Sequence, residues 1–159
     1  MSKCVFCDIY GEGKEVIYEN ESVFSRFDKY PVSPGHVEII PIRHVVSLED
    51  LTDVEWSGIR SAIEPILETL NDLSLRKVYE NLIVNPLDNW SEHFCADMLN
   101  HIGVDQKIAK YNFGVNEGRL AGREIDHLHF HLIPRFKGDV KNPTGGIRSV
   151  IPAKGNYRK

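Results

Sequence analysis

Three histidines stand at alternate positions, His127, His129 and His131, in the run Asp126-His127-Leu128-His129-Phe130-His131-Leu132-Ile133-Pro134. Imidazole titrates near neutral pH, so it can attack, accept a proton or bind a metal there. The strict alternation predicts a β-strand, with Leu128, Phe130 and Leu132 in a core and the imidazoles on one exposed or clefted face. Side chains two apart on a strand lie about 6.6 Å from one another, so the middle imidazole has a partner on each side. Few structural needs call for such a row. A wholly metal-binding row would want more carboxylates nearby than this stretch offers. Nucleophilic catalysis fits better, because an imidazole nitrogen can form a covalent phosphoramidate while its neighbours set its tautomer and shuttle the proton. His129 is then the nucleophile.

Other residues suit the same chemistry. In the loop Asn116-Glu117-Gly118-Arg119-Leu120-Ala121-Gly122-Arg123-Glu124, the glycines alone would indicate turn chemistry. Beside the histidines, Gly122 can bring backbone N–H groups to a phosphate and Asn116 can donate through its amide. Asp28 can accept two hydrogen bonds, although a plain turn aspartate before Lys29-Tyr30-Pro31 is an alternative. Cys4 and Cys7 are spaced as half of a tetrahedral zinc site; two reduced thiols are the alternative.

The chain resembles the histidine triad (HIT) family, whose signature is His-x-His-x-His followed by two apolar residues. The resemblance runs through Cys4-Val5-Phe6-Cys7-Asp8-Ile9, Phe27-Asp28, Pro34-Gly35-His36-Val37-Glu38-Ile39-Ile40-Pro41-Ile42-Arg43-His44, and Asn112-Phe113-Gly114-Val115-Asn116-Glu117-Gly118 into the triad. It implies catalysis by His129 with His131 and His127, and ribose contact by Asp28. It further implies phosphate contact by Asn116 and Gly122, and an apolar base wall from Val5, Phe6 and Ile9. Some bacterial members hold zinc with residues that map to Cys4, Cys7, His44 and His127. The family commonly has Gly-Gln followed by Ser or Thr where this chain has Gly122-Arg123-Glu124. Arg123 would then replace a polar contact with a charge-assisted one, and Glu124 would turn outward or pair with an arginine. Arg26 and Lys29 are charged in the region of the base pocket, so base selectivity does not carry over.

Composition narrows the remaining classes. The 159 residues fit a single domain over 1–159 with an adequate core. No apolar stretch is long enough to span a membrane, and the start lacks the apolar core of a signal peptide. Three cysteines argue against a disulfide framework and for a reducing compartment, hence a cytoplasmic protein. Net charge is −4, but residues 119–159 carry about +6 and the rest about −10. Arg158 and Lys159 read as a solvated basic tail, while Arg123, Arg135 and Arg148 flank the histidines and suit phosphate. The overall acidity speaks against a nucleic-acid polymer as partner.

The elements that must position these residues read as α+β with an antiparallel sheet of about five strands, one long helix and additional short helices. Val16–Tyr18 and Ser22–Phe27 form a hairpin, and His36–Ile40 a third strand. Thr52 and Glu55 have capping-box spacing ahead of an apolar stripe at Trp56, Ile59, Ile63, Ile66, Leu67 and Leu70, with Pro65 expected to kink or break the helix. Residues 73–108 read as an elaboration, over the active site or at a dimer contact, with an extra helix from Asp88 to Ile102 carrying Trp90, Phe94, Met98 and Ile102 at i, i+4 spacing. Tyr111–Asn116 and Ile125–Pro134 complete the sheet, and residues 135–159 form a basic extension. His36 reads as a structural histidine.

The expected function is attack at the α-phosphate of a nucleotide, through a nucleotidyl-histidine. Cations around Pro134–Arg148, similar to bacterial dinucleoside polyphosphate hydrolases, suit a substrate such as diadenosine tetraphosphate. A nucleoside phosphoramidase of the Hint branch is the enzyme alternative, and a zinc-stabilised nucleotide-binding module with little turnover the alternative of another class. A structural zinc is expected, no organic cofactor, and, from the resemblance, a homodimer.

Overall fold

The computed structural model describes residues 4–156. The start of the chain and the Arg158–Lys159 tail lie outside the described residues. Five strands form one antiparallel sheet: β1 (Tyr18–Glu19), β2 (Val23–Phe27), β3 (Val37–Pro41), β4 (Lys110–Val115) and β5 (Phe130–Arg135), in the order β1-β2-β3-β5-β4. The helices are α1 (Val5–Glu12), α2 (Asp53–Asp72), α3 (Leu75–Leu82), α4 (Asn89–Asn100) and the short α5 (Pro152–Gly155). This is the expected α+β architecture. No helix among the described residues is long and apolar enough to cross a membrane.

Helix α2 covers one face of the sheet. Its start is a capping box: the Thr52 hydroxyl accepts from Glu55 N, and the Glu55 carboxylate accepts from Thr52 N at 2.8 Å. Its stripe of Ile59, Ala62, Ile66 and Leu70 is buried against Val23, Val37, Ile39, Leu128, Phe130 and Leu132. Each fully buried Ile or Leu contributes about 1.5–3 kcal/mol, which outweighs the one backbone bond Pro65 removes. The helix therefore runs through Pro65 without the expected break, and the Thr69 hydroxyl donates back to the Pro65 carbonyl at 2.9 Å.

The other face carries α1, which sequence patterning did not reveal. It inserts Phe6 into a second cluster with Phe24 and Ile40. The expected strand from Ile125 is shorter than its alternation suggests: β5 begins only at Phe130, so His127 and His129 lie on the approach to it. The alternation survives as burial. Leu128, Phe130 and Leu132 are all in the core, yet His127 and His129 are buried too rather than lining an open face.

Residues 73–108 brace the site from behind. Tyr79 of α3 is fully buried and accepts the Gly35 N–H at 2.8 Å, fixing the turn that leads into His36. Gly35 has φ +80°, and a Cβ there would stand 3.3 Å from Pro134 Cγ, so the turn needs glycine. The expected extra helix is α4, packed on α3, and it ends at Asn100, before Ile102. It buries Ser91, Cys95 and Met98; of the i, i+4 series Met98 is buried, Phe94 half-buried, and Trp90 and Ile102 exposed.

Candidate active site and metal cluster

Strand pairing sets out the site. Arg26 on β2 lies opposite Glu38 on β3, Glu38 opposite His131 on β5, and His131 opposite Gly114 on β4. Directly paired residues share a face, so these side chains form one row across the sheet, on the side away from α2. Asp28 and His36 stand one level further along the same two strands, joined by the hydrogen bond from Asp28 N to the His36 carbonyl at 3.0 Å.

At the other end sits a sulfur–nitrogen cluster. Cys4 caps α1 and Cys7 lies in its first turn, so both thiols emerge on one side. Leu128 N donates to the Val45 carbonyl at 2.7 Å, which draws His127 beside His44, their rings 4.7 Å apart. Cys4 Sγ is 3.3 Å and Cys7 Sγ 3.7 Å from His127 Nδ1, and Cys7 Sγ is 3.5 Å from His44 Nδ1. All four donor atoms lie within 4.8 Å of one another. A tetrahedral zinc with two thiolates and two imidazoles needs ligand separations of about 3.3–3.8 Å, so the donor set fits. His127 Nε2 donates to the Pro41 carbonyl at 2.9 Å, leaving Nδ1 as the free lone pair toward the sulfurs. Burial pulls His127 down to about 4 and, with Cys4 adding to it, pushes the Cys7 thiol up to about 11.

His129 stands between the two ends. Its Nδ1 donates to the His127 carbonyl at 2.8 Å, so its Nε2 keeps the lone pair. Phe6 packs edge-on against it with ring centres 5.2 Å apart. Burial, the largest influence, lowers its pKa, which holds the imidazole neutral and nucleophilic at pH 7.

Beyond it lies the cluster Asp28–His36–His131. Val32 N donates to His36 Nδ1 at 3.4 Å, so neutral His36 carries its proton on Nε2. That nitrogen is 3.1 Å from His131 Nδ1 and 3.4 Å from Asp28 Oδ2. His131 Nδ1 also stands 3.5 Å from Asp28 Oδ2, so both neighbours engage that one nitrogen and His131 Nε2 is left for a ligand. Burial lowers His36 to about 4 despite Asp28. Burial alone would raise Asp28, but His131, His36 and the Tyr30 N–H at 2.7 Å together hold it at about 2.

Against this row lies a cleft of about 410 Å³ walled by Val5, Phe6, Ile125 and Leu87, with Arg26, Asp28, Glu38, Gly122, Glu124 and His129 among its lining. The HIT domain family model matches residues 12–138. The chain belongs to the HIT family. A HIT-like protein of Methanocaldococcus jannaschii is 30% identical over 138 residues, covering 86% of this chain and 81% of that one. An AP-4-A phosphorylase of Mycobacterium tuberculosis is 27% identical over 140 residues, but this chain spans only 55% of its length. Among solved structures, a HIT family protein of Bacillus anthracis is similar at TM-score 0.58 and 25% identity, covering 87% of this chain and 77% of that one.

In this HIT protein the sequence-predicted residues divide. His129, Asp28, Phe6 and Gly122 line one cleft, and Ile9 packs behind Phe6. Asn116 and His131 line a neighbouring cleft with Leu120 and Ile147, and Asn116 Nδ2 lies 3.8 Å from where a Gly122 Cβ would be. Arg123 does not line either. Its guanidinium donates to the Val46 carbonyl and pairs with Glu117 at 3.3 Å and Asp126 at 3.7 Å, bracing the loop. Glu124 is exposed, as expected, at the mouth of the cleft it helps to line, and its carboxylate pairs with no arginine among the described residues. Arg135 is taken by Asp139 at 2.7 Å and Asn112 at 2.7 Å. Sequence reasoning missed Glu38 and Tyr30, and read His36 as a structural histidine without placing it beside His131. The alternation His36-Val37-Glu38-Ile39 was the available signal, because it places two titratable groups on one strand face.

Proposed function

We propose that this HIT protein is a nucleotide hydrolase or transferase acting at the α-phosphate, on dinucleoside polyphosphates such as diadenosine tetraphosphate. The observation that carries this reading is the hydrogen bond from His129 Nδ1 to the His127 carbonyl, which sets Nε2 as the nucleophile in a cleft with Asp28 and Gly122. His129 Nε2 attacks phosphorus and the bond to the leaving phosphate breaks, giving a nucleotidyl-histidine. His131, its Nδ1 engaged by His36, hydrogen-bonds the leaving oxygen through its Nε2–H and stabilises the negative charge that develops there. Water then attacks phosphorus, the P–N bond breaks and the nucleoside monophosphate leaves with His129 restored. Asp28 holds His36 and His131 in place and offers acceptors to ribose hydroxyls. Asn116 and the N–H groups near Gly122 would receive the phosphate oxygens.

The same relative named AP-4-A phosphorylase supports the polyphosphate class. Cys4, Cys7, His44 and His127 would hold a structural zinc, which when bound supplies a fixed link between α1 and the triad segment and no step of the chemistry. We take residues 1–159 as one domain, acting as a homodimer in the cytoplasm, where the free thiols of Cys4, Cys7 and Cys95 stay reduced. The Glu124 carboxylate at the cleft favours a second reading, a nucleotide-binding module with little turnover. Chromatography of products from diadenosine tetraphosphate and adenosine phosphoramidate separates these. AMP plus ATP from the first is expected. AMP from the phosphoramidate alone would move the protein to phosphoramidase activity, and binding without products would favour the module.

A further inference from the structure

Glu38 has no part in that reaction, yet it is buried at 7% exposure in the middle of the row that performs it. Its carboxylate accepts no hydrogen bond among the described residues, and its ion-pair partner, Arg26 Nε, stands 3.7 Å away. Arg26 is itself held elsewhere: Nε donates to the Phe27 carbonyl at 3.3 Å and Nη2 pairs with Glu15 at 3.1 Å. Glu38 lines the same cleft as His129 and Asp28. Burial, with Asp28 and Glu15 adding to it and Arg26 and His131 opposing, pushes Glu38 up to about 7. A buried carboxylate short of donors is costly, and a ligand that brings N–H groups relieves that cost.

The cleft's shape says which ligand. Val5, Phe6, Leu87 and Ile125 give it apolar walls of the kind that take a flat ring, and Glu38 offers two adjacent acceptors inside. We propose that Glu38 reads the base of the nucleotide cleaved at His129, and that this base is guanine. The guanine edge presents N1–H and the exocyclic N2 amine side by side, one donor for each carboxylate oxygen. Adenine and cytosine set one amine beside a ring lone pair, and uracil one N–H between two carbonyls, so each meets an ionised carboxylate with a repulsive contact. The inference rests on the nucleotide reading above.

Calorimetric titration of the full-length, zinc-loaded protein with GMP and AMP at pH 8.5, where Glu38 is ionised, tests it, alongside kcat/KM for diguanosine and diadenosine tetraphosphate at the same pH. Wild-type protein should favour guanine by about tenfold to a hundredfold, the discrimination of one good bidentate pair. Glu38→Gln presents one acceptor and one donor, matching the adenine edge, so it should erase or reverse the preference; Glu38→Leu should weaken GMP selectively. Thermal unfolding checks that the variants fold, and the wild-type ratio decides the matter even if they do not. Binding of both nucleotides within twofold, or an unmoved ratio in folded Glu38→Gln, overturns the guanine assignment alone. No binding and no cleavage of any of the four overturns the nucleotide reading with it.

Discussion

Two clusters only a few residues apart put the same triad to different uses. At one end His127 meets Cys4, Cys7 and His44; at the other His131 meets His36 and Asp28. Each uses a histidine whose second nitrogen is already committed, His127 to the Pro41 carbonyl and His131 to His36. Soft sulfurs around the first make a closed set of four donors. A carboxylate and a neutral imidazole around the second leave a proton aimed outward. His129, between them, donates to a backbone carbonyl and keeps its lone pair. Spacing makes the histidines equivalent in sequence, and their neighbours from α1, β3 and the β2–β3 turn make them different.

Among variants of the residues around His129, removing His131 should have the largest effect. His131→Ala is expected to lower kcat by about 10²–10³-fold with the melting temperature nearly unchanged, measured by steady-state kinetics and calorimetry. Removing sulfur should do the reverse. Cys4→Ser with Cys7→Ser is expected to lose bound zinc and about 5–10 °C of thermal stability while kcat falls only a few-fold. An equal kinetic loss in both would collapse the distinction between the clusters.

His36→Asn sharpens the comparison further. The expected result is a fall in kcat of about tenfold with KM steady and the acidic limb of the pH–rate profile displaced. A purely structural His36 would instead lower stability and leave the profile in place.

The smallest effect concerns the row between them. Glu38 is raised from 4.5 to about 7 in the folded protein, so its favourable contribution is complete below about pH 4.5 and is lost as pH rises toward 7. Glu38→Gln cannot lose it. The urea midpoint of the variant should therefore gain on wild type from pH 5 to pH 7 and level off above; a constant difference would contradict the buried, unbonded carboxylate.

The triad, the capping box of α2 and the five strands were legible because each is a local pattern: alternation, a four-residue box, an apolar stripe. The split of the triad was not. Whether an alternating segment is strand or approach depends on where β3 and β4 pair with it, and His127 reaches the cysteines through the bonds from Leu128 N to the Val45 carbonyl and from its own Nε2 to the Pro41 carbonyl. Arg123 looked like a phosphate ligand by charge and position, but Val46, Glu117 and Asp126 lie within its reach only in the folded loop. Pro65 misled because propensity is outweighed by a buried stripe. Glu38 was overlooked because a carboxylate in a strand reads as an outer residue until β2 and β5 close over both sides.

The central claim is that His129 becomes nucleotidylated. Wild-type protein mixed for milliseconds with an equimolar mixture of diadenosine and diguanosine tetraphosphate, quenched in base and digested, should yield one peptide heavier by a nucleotidyl group, with the modification on His129 and absent from His129→Ala. A nucleotidyl group on another residue, or steady turnover by His129→Ala, would contradict the account.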